Sequence, residues 1–192
     1  TITVTAPSTF DNDEERSGNV SLKGYTPTGA TVDITIYVAI LENEDVDYST
    51  MPANCYVATK YETRYKIDPY TGGNSTPLAT TYVKLLWQTR IGLIKYLDLR
   101  DGYVTFYLEN AVDDDDKALN RVYDGNALIG AYDANDELIW SWHIWVTSTD
   151  PTASENLITM NGQTMMNINL GASCNSNGSA DHDKILNSYG TY

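Results

Sequence analysis

Three of the chain's four tryptophans fall within nine residues, Leu138 to Val146, which read LIWSWHIWV. No helix breaker or turn former interrupts them, and β-branched and aromatic residues dominate, so the segment reads as a strand. Strand side chains alternate between faces. Leu138, Trp140, Trp142, Ile144 and Val146 are therefore predicted to share one face, with Ile139, Ser141, His143 and Trp145 on the other. A strand that is apolar on one side and half aromatic on the other must be covered over most of its surface. It sets the position of the core.

The rest of the pattern is also β. Thr31 to Ile40 alternates cleanly, with Val32, Ile34, Ile36, Val38 and Ile40 on one face. Tyr103 to Leu108 repeats the period with Val104, Phe106 and Leu108 inward. Asp101-Gly102 and Asn161-Gly162 separate strand-like runs, and both dipeptides accept the positive φ of a two-residue hairpin turn. Asp133 to Asp136 reads as a longer hairpin loop. At most a turn or two of helix is expected after Asp113 to Asp116, where acids suit a helix N-terminus. Short strands with frequent turns predict an all-β protein, an Ig-like or transthyretin-like β-sandwich.

A domain boundary is expected in ENEDVDYSTMP, Glu42 to Pro52, which is acidic and without apolar period. Residues 1–48 read as a partial Ig-like β module, too small to be stable alone, and 49–192 as the main sandwich. Thr1 begins inside a strand-like pattern and Tyr192 ends inside a motif, so the chain is expected to be a piece of a longer polypeptide, incomplete at its C-terminal side.

Charge narrows the partners. Lys and Arg total 12 against 26 Asp and Glu, a formal net charge of −14. Nucleic acid and anionic lipid both select a basic face, which this composition argues against. No apolar run of about 18 residues exists, so no transmembrane segment is expected. Fifteen tyrosines against two phenylalanines fit half-exposed strand positions, where the ring packs and the hydroxyl stays wet.

Candidate chemistry is sparse. His143 has a near-neutral intrinsic pKa and shares a face with Ser141 and Trp145. No acid alternates with it in the strand and there is no GxSxG, so a packed, hydrogen-bonded histidine is preferred over a general base. His182, in Asp181-His182-Asp183, stands in a polar stretch and lacks the three or four converging ligands zinc needs. The acidic cluster Asp113, Asp114, Asp115 and Asp116 is a weak calcium candidate; neither Asp11 nor Asp133 starts a loop with the EF-hand spacing of Gly and Glu. A solvated loop is the ordinary reading of such clusters. Cys55 and Cys174 are either one disulfide closing a long loop, in an oxidising compartment, or two separate thiols. Of the tryptophans, Trp87, Trp140 and Trp142 are expected to fill the core. Trp145 is the best placed to form an exposed platform for a ligand, with His143 beside it. No catalytic residues, resident metal or cofactor are predicted.

From Asn54 onward the chain resembles a module of fimbrillin-like surface proteins of gut Bacteroidales. The resemblance rests on NCYV (Asn54 to Val57), GGN (Gly72 to Asn74), KLLWQ (Lys84 to Gln88), GNALIGAYDANDELIWSWHIWVTSTDP (Gly125 to Pro151) and MNINLGA (Met166 to Ala172). That family usually reads MDRNLGA, so Asn167 and Ile168 replace an Asp-Arg pair. The likeness implies secretion and display on the outer surface, with adhesion or pilus assembly as the role. Partners would be other pilus or surface subunits, or a host protein or glycan. The alternative is a carbohydrate-binding accessory module of a surface glycan-utilisation protein.

Overall fold

The computed structural model describes residues 17–25, 31–39 and 45–172. The chain divides into two compact units, Thr1–Glu42 and Asn43–Tyr192. In the first, strands β1 (Ser17–Tyr25) and β2 (Thr31–Ala39) form an antiparallel hairpin, Ser17 opposite Ala39 and Tyr25 opposite Thr31.

The second unit is all-β, a sandwich of two four-stranded sheets, and its described residues contain no α-helix. One sheet has the order β4-β10-β9-β6. These strands are β4 (Cys55–Ala58), β6 (Tyr82–Gln88), β9 (Gly125–Tyr132) and β10 (Leu138–Val146). The other has the order β3-β5-β8-β7, made of β3 (Asp45–Asp47), β5 (Thr63–Ile67), β7 (Lys95–Arg100) and β8 (Tyr103–Leu108). β4 runs parallel to β10 and β3 parallel to β5; the other pairs are antiparallel. A separate hairpin joins β11 (Leu157–Met160) to β12 (Gln163–Met166). Because β3 pairs with β5, the second unit starts ahead of residue 49.

One hydrophobic cluster lies between the sheets. Tyr65, Ile67, Val104, Phe106 and Leu108 come from one side; Ala58, Ile129, Trp142, Ile144 and Val146 come from the other. The ring of Tyr65 stacks on Phe106 at 5.1 Å between centroids. Trp142 has no solvent exposure. A bulge between Leu138 and Trp140 alters the predicted alternation at the start of β10. Ile139 and Trp140 both pack on the core, while Leu138 is half exposed and its Cδ1 lies over Gly130 on the opposite face. The extra residue of a bulge reverses the facing of everything before it.

The turns follow their sequences. Asp101 and Gly102 have φ of 53° and 82°, and Asn161 and Gly162 have 51° and 77°, both left-handed pairs closing two-residue hairpins. The acidic clusters form two copies of one loop. Asp133 N–H donates to Glu137 O at 3.0 Å, Asp136 N–H donates back to Asp133 O, and Asp136 takes φ 63°. Asp113, Asp116 and Lys117 repeat this with Asp116 at φ 60°. Asp113 to Asp116 is thus a hairpin turn, flanked by a bridge between Val112 and Ala118, and not the start of a helix as its acids led us to expect. The side chain explains the choice: Asp113 Oδ1 accepts from the backbone N–H of both Asp115 and Lys117, each at 2.9 Å. Such local bonds compete with helix formation.

Candidate functional site

The strands β4, β10 and β9 bring together residues that are far apart in sequence. Register places Cys55 beside His143 and Val57 beside Trp145 across the parallel pair. On the other flank Trp145 lies opposite Asn126. Side chains on one face of a sheet meet their direct and diagonal neighbours. Cys55, His143, Trp145 and Asn126 therefore form one patch on the face of the sheet turned away from the main core.

Their hydrogen bonds fix their chemical states. Asn126 Nδ2 donates to Gly171 O at 2.8 Å, and since a carbonyl only accepts, this sets the amide's orientation. Asn126 Oδ1 then faces His143 Nε2 at 2.8 Å and must accept from it. The imidazole proton sits on Nε2, which leaves the lone pair of Nδ1 toward Cys55 Sγ at 3.4 Å. Burial lowers the His143 pKa and pushes the Cys55 thiol up to about 11. The pair is neutral at rest, with the thiol hydrogen directed at Nδ1. Cys55 is a free thiol; Cys174, its possible disulfide partner, lies outside the described residues, as does His182.

Trp145 is not the exposed platform expected from its face. It has no solvent exposure, because Ile168 and Ala172 pack over it in a second apolar cluster edged by Cys55 and Val57. Its indole Nε1 donates to Ala172 O at 3.1 Å. The alternation of β10 does turn Trp145 to the outer face; the chain that returns across that face covers it. Ile168 is one of the covering side chains.

Further contacts explain the glycines. A Cβ on Gly72 would lie 2.9 Å from the ring of Trp140, so only glycine lets this loop close on β10. At Gly73 the added atom would meet Asn54 Oδ1 at 2.1 Å. Trp87, expected in the core, is only half-buried on β6 and is not part of the cluster between the sheets; a register shift between Leu85 and Trp87 sets it opposite Leu128, the partner of His143.

Beside the thiol, β4 forms an edge of its sheet. His143 N–H donates to Asn54 O and Thr147 N–H to Ala58 O, at 2.8 and 3.0 Å. By the alternation of a parallel ladder, the backbone groups of Cys55 and Val57 face away from β10. Tyr48 covers one of them, its hydroxyl donating to Val57 O at 2.5 Å. A cleft of about 480 Å³ borders this edge, lined by Tyr48, Met51, Ala53, Cys55, Tyr56 and Val57, with Asp150 and Thr152 among its polar residues.

The calcium candidates do not converge. Asp113 is occupied by its own turn, Asp115 pairs with Lys117 at 3.2 Å, and no group of three His, Cys, Asp or Glu side chains among the described residues is arranged to hold a metal. No helix among the described residues is long and apolar enough to cross a membrane.

Asn126 is the residue sequence reading missed. Its signal was its place in GNALIGAY: a polar, strand-disfavoured residue inside an apolar strand needs a buried partner. Compared with protein families, curated proteins and solved structures, the chain matches none of them.

Proposed function

We propose that this chain is a non-enzymatic part of a bacterial cell-surface or fimbrial protein, acting in adhesion or pilus assembly. In this reading the main sandwich is Ig-like, the N-terminal hairpin is part of a second β module, and the partners are other surface or pilus subunits. The observation that carries the reading is the edge of β4. A strand with one sheet neighbour and outward-facing backbone groups, bordered by a cleft of about 480 Å³, is suited to accept an added strand. Main-chain hydrogen bonds would supply affinity, and the cleft would select the incoming side chains. The net charge of −14 keeps such subunits from associating without a specific fit.

The test is immunogold labelling of intact source cells with an antibody to residues 43–192. Gold along or at the tips of filaments is the expected result for a pilus component, and gold scattered over the envelope for a surface adhesin. Gold that appears only after lysis overturns the reading.

A further inference from the structure

Cys55, His143 and Asn126 form an ordered thiol–imidazole–carboxamide series that the proposed adhesive role does not use. Cys55 is among the residues that line a cleft, the imidazole is the neighbour of its thiol at 3.4 Å, and the carboxamide holds the imidazole from behind at 2.8 Å. A nucleophile, a base in reach and a third group orienting that base are the recognised components of nucleophilic catalysis. Asn126 is itself buried and tied to Gly171, so the imidazole is held in one tautomer.

We propose that Cys55 is a covalent acyl-acceptor site, with His143 as its base and Asn126 as a positioning residue. The ligand class is an apolar acyl group carried as an activated ester or thioester. Sγ attacks the carbonyl carbon, and an Sγ–C bond forms as the bond to the leaving oxygen or sulfur breaks. The proton passes from Sγ to His143 Nδ1 and then to the leaving group, so no oxidant, reductant or metal is required. The apolar lining from Met51, Ala53, Tyr56 and Val57 suits the acyl chain. The backbone N–H of Cys55 faces away from β10, on the edge where the developing oxyanion would stand. The inference goes beyond the adhesive reading and does not depend on it, since a single acylation needs neither turnover nor an added strand.

The test uses the full 192-residue chain carrying Cys174→Ser, with p-nitrophenyl butyrate as the probe. One equivalent of p-nitrophenolate is expected in a burst, with one butyryl group found by mass spectrometry on the peptide containing Cys55. The folded chain is expected to acylate at least tenfold faster than the same chain unfolded in urea at equal pH. In a variant that retains its fold, His143→Gln is expected to lower the rate by about 100-fold or more, the usual range for a lost general base. Folded and unfolded chains reacting at equal rates would overturn the proposal, and this comparison needs no variant. Imidazole ¹⁵N shifts give an independent reading of Asn126: Nε2 is expected to be the protonated nitrogen, and Asn126→Ala to remove that preference. A protonated Nδ1 in the unsubstituted chain would sink the relay. Because the probe needs no docked strand, a negative result here leaves the cell-surface reading standing, and the reverse also holds.

Discussion

At the scale of single residues, Trp142 and Trp145 have the same exposure, none, for opposite reasons. Trp142 faces the core between the sheets, and Trp145 is covered from outside by Ile168 and Ala172. Trp142→Ala and Trp145→Ala are each expected to cost about 3–5 kcal/mol, the range for truncating a buried aromatic, measured by urea unfolding. A loss under about 1 kcal/mol at Trp145 would show that the 167–172 segment does not seal it. His143 gives a pH signature. Burial lowers its folded pKa below that of the unfolded chain, so protons bind the unfolded state first as pH falls. Its contribution is therefore full above about pH 6.5, the ordinary histidine value, and is lost as pH drops through the folded pKa. The urea midpoint is expected to fall between about pH 7 and 5, and His143→Gln to flatten that fall. Trp142 was legible as core because its alternation partners are apolar. Trp145 was not, because its cover comes from residues more than twenty positions away.

At the scale of elements, the turns were the most legible features. Asp101-Gly102 and Asn161-Gly162 state their backbone requirement locally, and the structure gives both the left-handed pair. The acidic loops were legible as loops at both Asp133 and Asp113, but at Asp113 charge also suggested a short helix to follow, which does not form. What decides it is the first aspartate of each, whose Oδ1 takes two backbone N–H groups of its own turn. Millimolar calcium is accordingly expected to leave the melting temperature unchanged; a rise of several degrees would show that these carboxylates regroup around the ion. The loop at Gly72 is constrained from outside itself. Gly72→Ala is expected to destabilise by about 1–3 kcal/mol, as overpacking does, because the added Cβ meets the ring of Trp140 and not a free side-chain end. Gly73→Ala should cost less, since the obstructing Asn54 Oδ1 ends an exposed side chain. Comparing the two by thermal melts separates a packed contact from a movable one.

At the scale of the whole molecule, the two units differ in what they can sustain. The described part of residues 43–192 has two four-stranded sheets around a shared core, and this unit is expected to melt cooperatively when expressed alone. The first unit's described strands form only a two-stranded hairpin, which is marginal in water without further cover. A peptide of residues 1–42 is expected to show no cooperative transition by circular dichroism; a sharp melt would refute this. The sequence by itself determined the all-β class, the strands carried by period two, the two-residue turns and the acidic charge that weighs against nucleic-acid partners. These depend on neighbours in the chain, and period and turn chemistry are local properties. Only the tertiary structure decided that β4 runs parallel beside β10, that a bulge turns Leu138 outward, and that Cys55, His143 and Asn126 meet. Pairing partners across a sheet are chosen by burial summed over the whole unit, and no local pattern records which distant strand supplies the next side chain.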